Sequence, residues 1–137
     1  IKRIKYNFKK YKIDSLTGPV IFYDIPFKTP VYAQMYLELF KFIQNGKDTL
    51  IGPNMMITKK IWKKIKNDVC MDNTQVHEDI DLAIHLVKAG GKIRRDDKLV
   101  AHCSARRLLK HPKDFFVEYP VRLVNTLKIH NGTGYRP

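Results

Sequence analysis

Three carboxylates fall within four positions at the start of an apolar-periodic stretch, in His77-Glu78-Asp79-Ile80-Asp81-Leu82. Carboxylates in a first helical turn are favoured by the helix dipole, each by ~0.3–1 kcal/mol. That effect accounts for one acidic residue readily. It accounts less well for three, because like charges repel and Asp81 lies deeper in the turn. A site that takes a proton from a hydroxyl, or holds a cation, explains the cluster better. Asp79-Ile80-Asp81 also spells Asp-x-Asp, a pair able to hold a divalent metal on a diphosphate. On a helix, however, residues two apart point in different directions. Asp79 and Asp81 are therefore not expected to hold a metal together.

Two further features join the cluster. Gly52-Pro53-Asn54 interrupts the apolar run Leu50–Ile57, and a glycine there lets backbone approach a ligand closely. Its plainer meaning is a turn or bulge. His102 follows a short apolar stretch, and as a metal ligand it would need carboxylates from elsewhere.

The elements that must position these residues read as alternating helices and short strands, an α/β pattern. Residues 1–12 carry Lys2, Arg3, Lys5, Lys9, Lys10 and Lys12, with Tyr6 and Phe8 alternating as in an edge strand or arm. Val20–Tyr23 reads as a strand after Gly18-Pro19. A helix from about Pro30 to Asn45 has Thr29 as cap, Gly46 past its end, and Val31, Met35, Leu39, Phe42 and Ile43 as its core face. Thr58 caps a helix running to about Lys66, with Ile61, Trp62 and Ile65 inward and its lysines in water. The acidic cluster opens a helix from Glu78 or Asp79 to Ala89, with Ile80, Ala83, Ile84 and Val87 inward and Gly90-Gly91 ending it. Lys92–Arg95 and Leu99–Ala101 are candidate strands, and a last helix is expected from Pro112, bent at Pro120.

With 26 Lys+Arg against 13 Asp+Glu the formal charge is +13, which favours anionic partners but says nothing of fold. Cys70 and Cys103 make no disulfide framework and no Cys-x-x-Cys, so reduced thiols in a cytoplasmic setting are expected. No run approaches a membrane span. Asn131-Gly132-Thr133 matches a glycosylation triplet that is common by chance. The chain opens on Ile1 in a basic, structured-looking segment, so it is expected to belong to a longer protein.

Taken together, Gly52-Pro53-Asn54-Met55-Met56-Ile57, a capped helix with Trp62, Glu78-Asp79-Ile80-Asp81-Leu82, Gly90-Gly91-Lys92-Ile93 and His102-Cys103-Ser104-Ala105-Arg106-Arg107 resemble the family 2 glycosyltransferases in order and spacing. The resemblance is strong over residues 50–110 and weak on the flanks. It implies a partial GT-A fold, a Rossmann-like architecture with a short mixed sheet and flanking helices. Residues 1–137 would form its C-terminal, acceptor-side portion, and the nucleotide-binding half would precede them. It also implies Asp79 as the base that deprotonates an acceptor hydroxyl, with Glu78 shaping the pocket and Gly52 and Asn54 facing the donor. His102 would help bind a divalent metal (Mg2+ or Mn2+), and Arg106 and Arg107 the phosphates. The partners implied are a nucleotide-sugar donor, a glycan or lipid-linked acceptor, and an acidic membrane surface at the cytoplasmic face. Two departures stand out. His85 occupies a position where the family commonly has Arg, and no Gln-x-x-Arg-Trp follows His102, which favours single-sugar transfer in cell-envelope glycan synthesis over polymerisation.

Two other readings compete. A small basic nucleic-acid-binding module would use the charge and the aromatics among the lysines of residues 1–12, yet no nucleic-acid motif backs it and the acidic cluster goes unexplained. For that reason nucleic acid is not an expected partner. A catalytically inactive domain of the same fold is the other.

Overall fold

The computed structural model describes residues 1–25, 31–43, 46–70, 72, 74–111, 113 and 117–130. The chain opens not on a strand but on helix α1, Lys2–Tyr11. Tyr6 and Phe8 do alternate, but Ile1, Ile4, Phe8 and Tyr11 recur at spacings of three and four, and lysines are good helix formers. Lys9 and Lys10 suit the negative end of the helix dipole, and Lys12 ends the helix with a left-handed φ of 47°.

Helix α1 is anchored through polar groups. Arg3 donates from Nε and Nη2 to the two oxygens of Asp96, both at 2.7 Å. Buried Asn7 donates to Asp96 Oδ2 at 2.7 Å and accepts from Arg94 Nε at 3.1 Å. The Arg94 guanidinium lies 3.5 Å over the Tyr11 ring.

Five short strands form two small sheets. In the first, β1 (Ser15–Thr17) lies between β3 (Met55–Ile57), antiparallel, and β4 (Ile93–Arg95), parallel. In the second, β2 (Val20–Phe22) runs parallel to β5 (Ala101–Cys103), pairing Ile21 with His102. Strand β1 is buried throughout. Its Thr17 hydroxyl donates to the Asn54 carbonyl at 3.0 Å and accepts the Ile51 amide at 3.2 Å, joining the sheet to the Gly-Pro-Asn turn. Between β1 and β2, Gly18 is sterically required, since a Cβ there would collide with the carbonyl oxygens of Leu99 and Asp96.

Helix α2, Val31–Ile43, buries the opposite face from the one its periodicity predicts. Leu37 and Phe40 point inward, while Met35 is 63% and Phe42 84% exposed, with Val31 and Leu39 also exposed. The helix is apolar on both faces, so spacing alone cannot choose its rotation. Ion pairs agree with the observed one: Glu38 meets Arg95 at 2.6 Å and Lys41 meets Asp48 at 3.4 Å. The expected cap Thr29, the first-position Pro30, the end residue Asn45, the Ile43 side chain, Pro112 and the Asn131-Gly132-Thr133 triplet lie outside the described residues.

Helix α3, Lys59–Ile65, is capped as expected, the Thr58 hydroxyl accepting the Ile61 amide. Helix α4, Glu78–Lys88, is the centre of the core. One side packs Leu82, Ala83 and Leu86 against Ile61 and Ile65 of α3 and Leu50. The other packs Ile80 and Ile84 against Phe40 of α2 and Leu123. Full burial of such a side chain is worth roughly 1.5–3 kcal/mol. Helix α5, Arg106–Lys110, is short, and α6 spans Tyr119–Ile129. Pro120 lies in the first turn of α6, Val117 and Glu118 form a π-helical turn immediately before it, and the expected start at Pro112 lies outside the described residues. Strand β5 begins two residues later than predicted, which places His102 within the strand and not after it. The architecture is α/β, with a short mixed sheet and flanking helices.

Candidate functional site around helix α4

The first turn of α4 presents its carboxylates in three settings. Glu78 is exposed. Asp79 is buried, and its Oδ2 accepts the Gly52 amide at 3.0 Å. Its Oδ1 faces His77 Nδ1 at 2.7 Å, so that nitrogen carries the proton toward the carboxylate. Asp81, two residues on, turns elsewhere and shares no partner with Asp79, as helical geometry requires.

His77 gains its position from the backbone. Its carbonyl accepts the amides of Ile80 and Asp81, opening the helix. Its own amide donates to the Thr126 hydroxyl of α6 at 2.8 Å, and its ring meets Tyr119 edge-on with centroids 5.3 Å apart. Tyr119 and Thr126, seven residues apart on one face of α6, thus hold His77 beside Asp79 through its ring and its amide. Sequence reasoning quoted His77 without giving it a role; its place one residue before the Glu-Asp pair was the available signal.

The Gly52 turn and the carboxylate cluster, 27 residues apart in the sequence, are therefore in direct contact. Asn54 is different. Its amide donates to the carbonyls of Pro19 at 3.0 Å and Leu99 at 2.7 Å, so both of its donors are committed inward, where they fix the turn between the two sheets. Its expected contact with a donor sugar finds no free N–H.

Asp81 lies at the centre of a second group. Its Oδ2 accepts the Cys70 amide at 2.9 Å. Its Oδ1 lies 2.7 Å from His130 Nε2 and 3.6 Å from His85 Nε2. Asp81 and His130 are almost wholly buried, and the His85 side chain is 19% exposed. Burial holds the His85 imidazole below its ordinary pKa, and the Asp81 charge opposes that only in part. Lys88 Nζ lies 3.2 Å from His130 Nδ1. The ligand atoms of Asp81, His85 and His130 all lie within 4.8 Å of one another, and this group could hold a metal ion.

His102 is exposed on β5 and does not belong to that group. Nearby, Asp24 accepts the Ser104 hydroxyl at 2.5 Å and the Ala105 amide at 2.6 Å, capping the approach to α5. These bonds, the Ala105 amide foremost, draw the Asp24 carboxyl below its usual range. Arg106 is exposed in the first turn of α5, and the Arg107 side chain lies outside the described residues.

No protein-family model, curated protein or solved structure matches this chain.

Two shallow concavities lie near the site without containing Asp79. One, about 450 Å³, is lined by Tyr11, Lys47, Lys92, Arg94 and Arg95 among others. The other, about 470 Å³, runs along Met55, Ile57, Trp62 and Leu82. Asp79 itself lies against the Gly52 turn. No helix among the described residues is long and apolar enough to cross a membrane.

Proposed function

We propose that the chain is the acceptor-side part of an inverting glycosyltransferase of the GT-A type, with Asp79 as its general base. The observation that carries this reading is the Gly52 amide donating to Asp79 Oδ2 at 3.0 Å. It brings together two of the motifs on which the resemblance to family 2 enzymes rests.

The chemistry asks a carboxylate to accept one proton from an acceptor hydroxyl as its oxygen attacks the anomeric carbon. The nucleoside diphosphate leaves from the opposite face with the electron pair of the broken C–O bond, and the configuration inverts. Asp79 is suited to this because each of its oxygens is fixed by one donor, from Gly52 or His77. A carboxylate oxygen has two lone pairs, so one remains on each for the incoming proton. His77 acts as a positioning residue, and Glu78, exposed beside it, is placed to meet the acceptor. Arg106 offers an exposed guanidinium for a departing diphosphate.

The Mg2+ or Mn2+ that the resemblance implies would take its carboxylates from the nucleotide-binding half, with His102 beside them. Those ions prefer oxygen donors. Among the described residues, the group able to hold a metal ion contains two imidazoles and leaves out His102. No step is routed through such an ion. Helix α1 supports a peripheral membrane location at the cytoplasmic face. It is basic, amphipathic and exposes Lys2, Lys5, Lys9 and Lys10, the form of helix that meets acidic headgroups.

The test uses the full-length protein that carries the nucleotide-binding half, with a panel of nucleotide-sugar donors and mixed lipid-linked and soluble glycan acceptors, assayed for nucleoside diphosphate release and a new glycoside. Turnover with at least one donor is expected. Binding without turnover across the panel would favour an inactive domain of the same fold, and no response to any donor rejects the reading.

A further inference from the structure

We infer that Asp81, His85 and His130 form a binding site for a transition-metal dication of the zinc class, separate from the sugar chemistry proposed at Asp79. Asp81 and His85 are four residues apart on α4 and share one face of the helix. His130 is brought to them from the end of α6. Two imidazole nitrogens and one carboxylate oxygen are the donor set of many three-ligand zinc sites, which leave a fourth position to solvent. The same set disfavours Mg2+ and Ca2+, which take oxygen ligands.

The spacing of the donors fits an ion after a small adjustment. Zinc–ligand bonds of about 2.0–2.2 Å in a tetrahedron set neighbouring donor atoms about 3.3 Å apart. Asp81 Oδ1 is already 3.6 Å from His85 Nε2. Its 2.7 Å separation from His130 Nε2 is a hydrogen bond that must open by about half an ångström as the ion enters. That opening is chemical as well as geometric. His130 Nε2–H now donates to Asp81 while Nδ1 accepts from Lys88. An ion on Nε2 displaces the Nε2 proton, and Lys88, an exposed flexible side chain, withdraws if that proton moves to Nδ1. The carboxylate is already oriented from behind, because the Cys70 amide holds Oδ2 and leaves Oδ1 to the two rings. The His85 and His130 rings stand edge-to-face with centroids 4.9 Å apart, so both rings border one point in front of Oδ1.

Such an ion would fasten α6 to α4. The two helices already meet through the Thr126 hydroxyl at the His77 amide and through Leu123 on Ile80 and Ile84. Binding at His130 would replace the Asp81–His130 hydrogen bond at the C-terminal end of α6 with coordinate bonds, and stability would rise with metal concentration.

The chelator-treated chain should be titrated with Zn2+, and with Co2+ as a visible-absorption probe, beside Mg2+ at equal concentration. One Zn2+ or Co2+ per chain is expected, with a rise in Tm that Mg2+ does not give. His85→Ala changes a half-buried residue and should weaken binding at least ~10-fold, while His111→Ala should not. Should His85→Ala fail to fold, imidazole NMR of the unaltered chain decides, with the His85 and His130 signals shifting at one equivalent of Zn2+ and those of His111 unmoved. No stoichiometric binding, an equal response to Mg2+, binding indifferent to His85→Ala, or imidazole shifts outside this pair would each show that the trio is a hydrogen-bonded cluster and not a metal site.

Discussion

Asp79 reaches 27 residues back along the chain to accept the Gly52 amide at 3.0 Å, and His77 holds its other oxygen at 2.7 Å. A carboxylate tied at both oxygens is fixed in orientation before any substrate arrives, which is what a general base requires. The same two bonds also satisfy a buried carboxylate and a turn amide. Their presence alone therefore separates catalysis from stability less sharply than substitution does.

Gly52→Ala separates the two roles. A methyl at this position would lie 3.6 Å from Asp79 Oδ2, an ordinary contact, and Gly52 is not among the glycines with positive φ. Stability is expected to stay within about 0.5 kcal/mol of the parent. If the turn faces a ligand, transfer falls about tenfold or more, since small displacements at a reacting centre are costly. Melting curves and kcat/KM on one preparation check this; a large loss of stability would show that the glycine serves the fold instead.

Thr49→Val should stabilise the protein by about 1 kcal/mol. The Thr49 hydroxyl is fully buried and, among the described residues, is the side-chain polar atom without a hydrogen-bond partner. Valine keeps the shape and removes an unsatisfied group. Denaturant unfolding measures the change, and destabilisation would reveal a partner for this hydroxyl.

Asn7→Ala should cost about 2 kcal/mol, because it removes a buried amide and leaves Asp96 and Arg94 each short of a partner. Hydrogen exchange should show α1 loosening before the strands do. Asp96 adds a pH dependence. The Arg3 guanidinium, then Asn7, hold its carboxyl below the ordinary 3.8. A depressed carboxyl contributes stability that is complete above the unfolded pKa and is lost as pH falls through the folded one. Acid unfolding should therefore begin near pH 3.8 and continue below it, and Asp96→Asn should flatten that limb.

Much of the scaffold was legible. The Thr58 cap, the start of α4 at the Glu-Asp pair and its end before Gly90 follow from local rules, because capping and glycine act within one turn of helix. The pairing of Gly52 with Asp79 was anticipated as one constellation, though not as a hydrogen bond. The errors share one origin. Residues 1–12 and α2 carry apolar side chains compatible with two periods or two faces, and tertiary partners decide: Asp96 for α1, Arg95 for α2. Asn54 entered through the resemblance as a donor-sugar contact, and the sequence could not show that two carbonyls from distant segments take its amide donors. His130 could not be joined to Asp81 from sequence, 49 residues apart and on another helix. The i,i+4 pair Asp81 and His85 was readable, and His85 was noted only as a departure from arginine.

The most direct measurement of the central claim is transfer by Asp79→Asn in the full-length protein that carries the nucleotide-binding half, with circular dichroism and melting run alongside. Asparagine keeps the shape, and its carbonyl oxygen can still accept the Gly52 amide, but it cannot take a proton. The account predicts an intact fold with turnover lowered about 10²–10⁴-fold, the usual range for a removed general base. Turnover equal to that of the parent chain would contradict it.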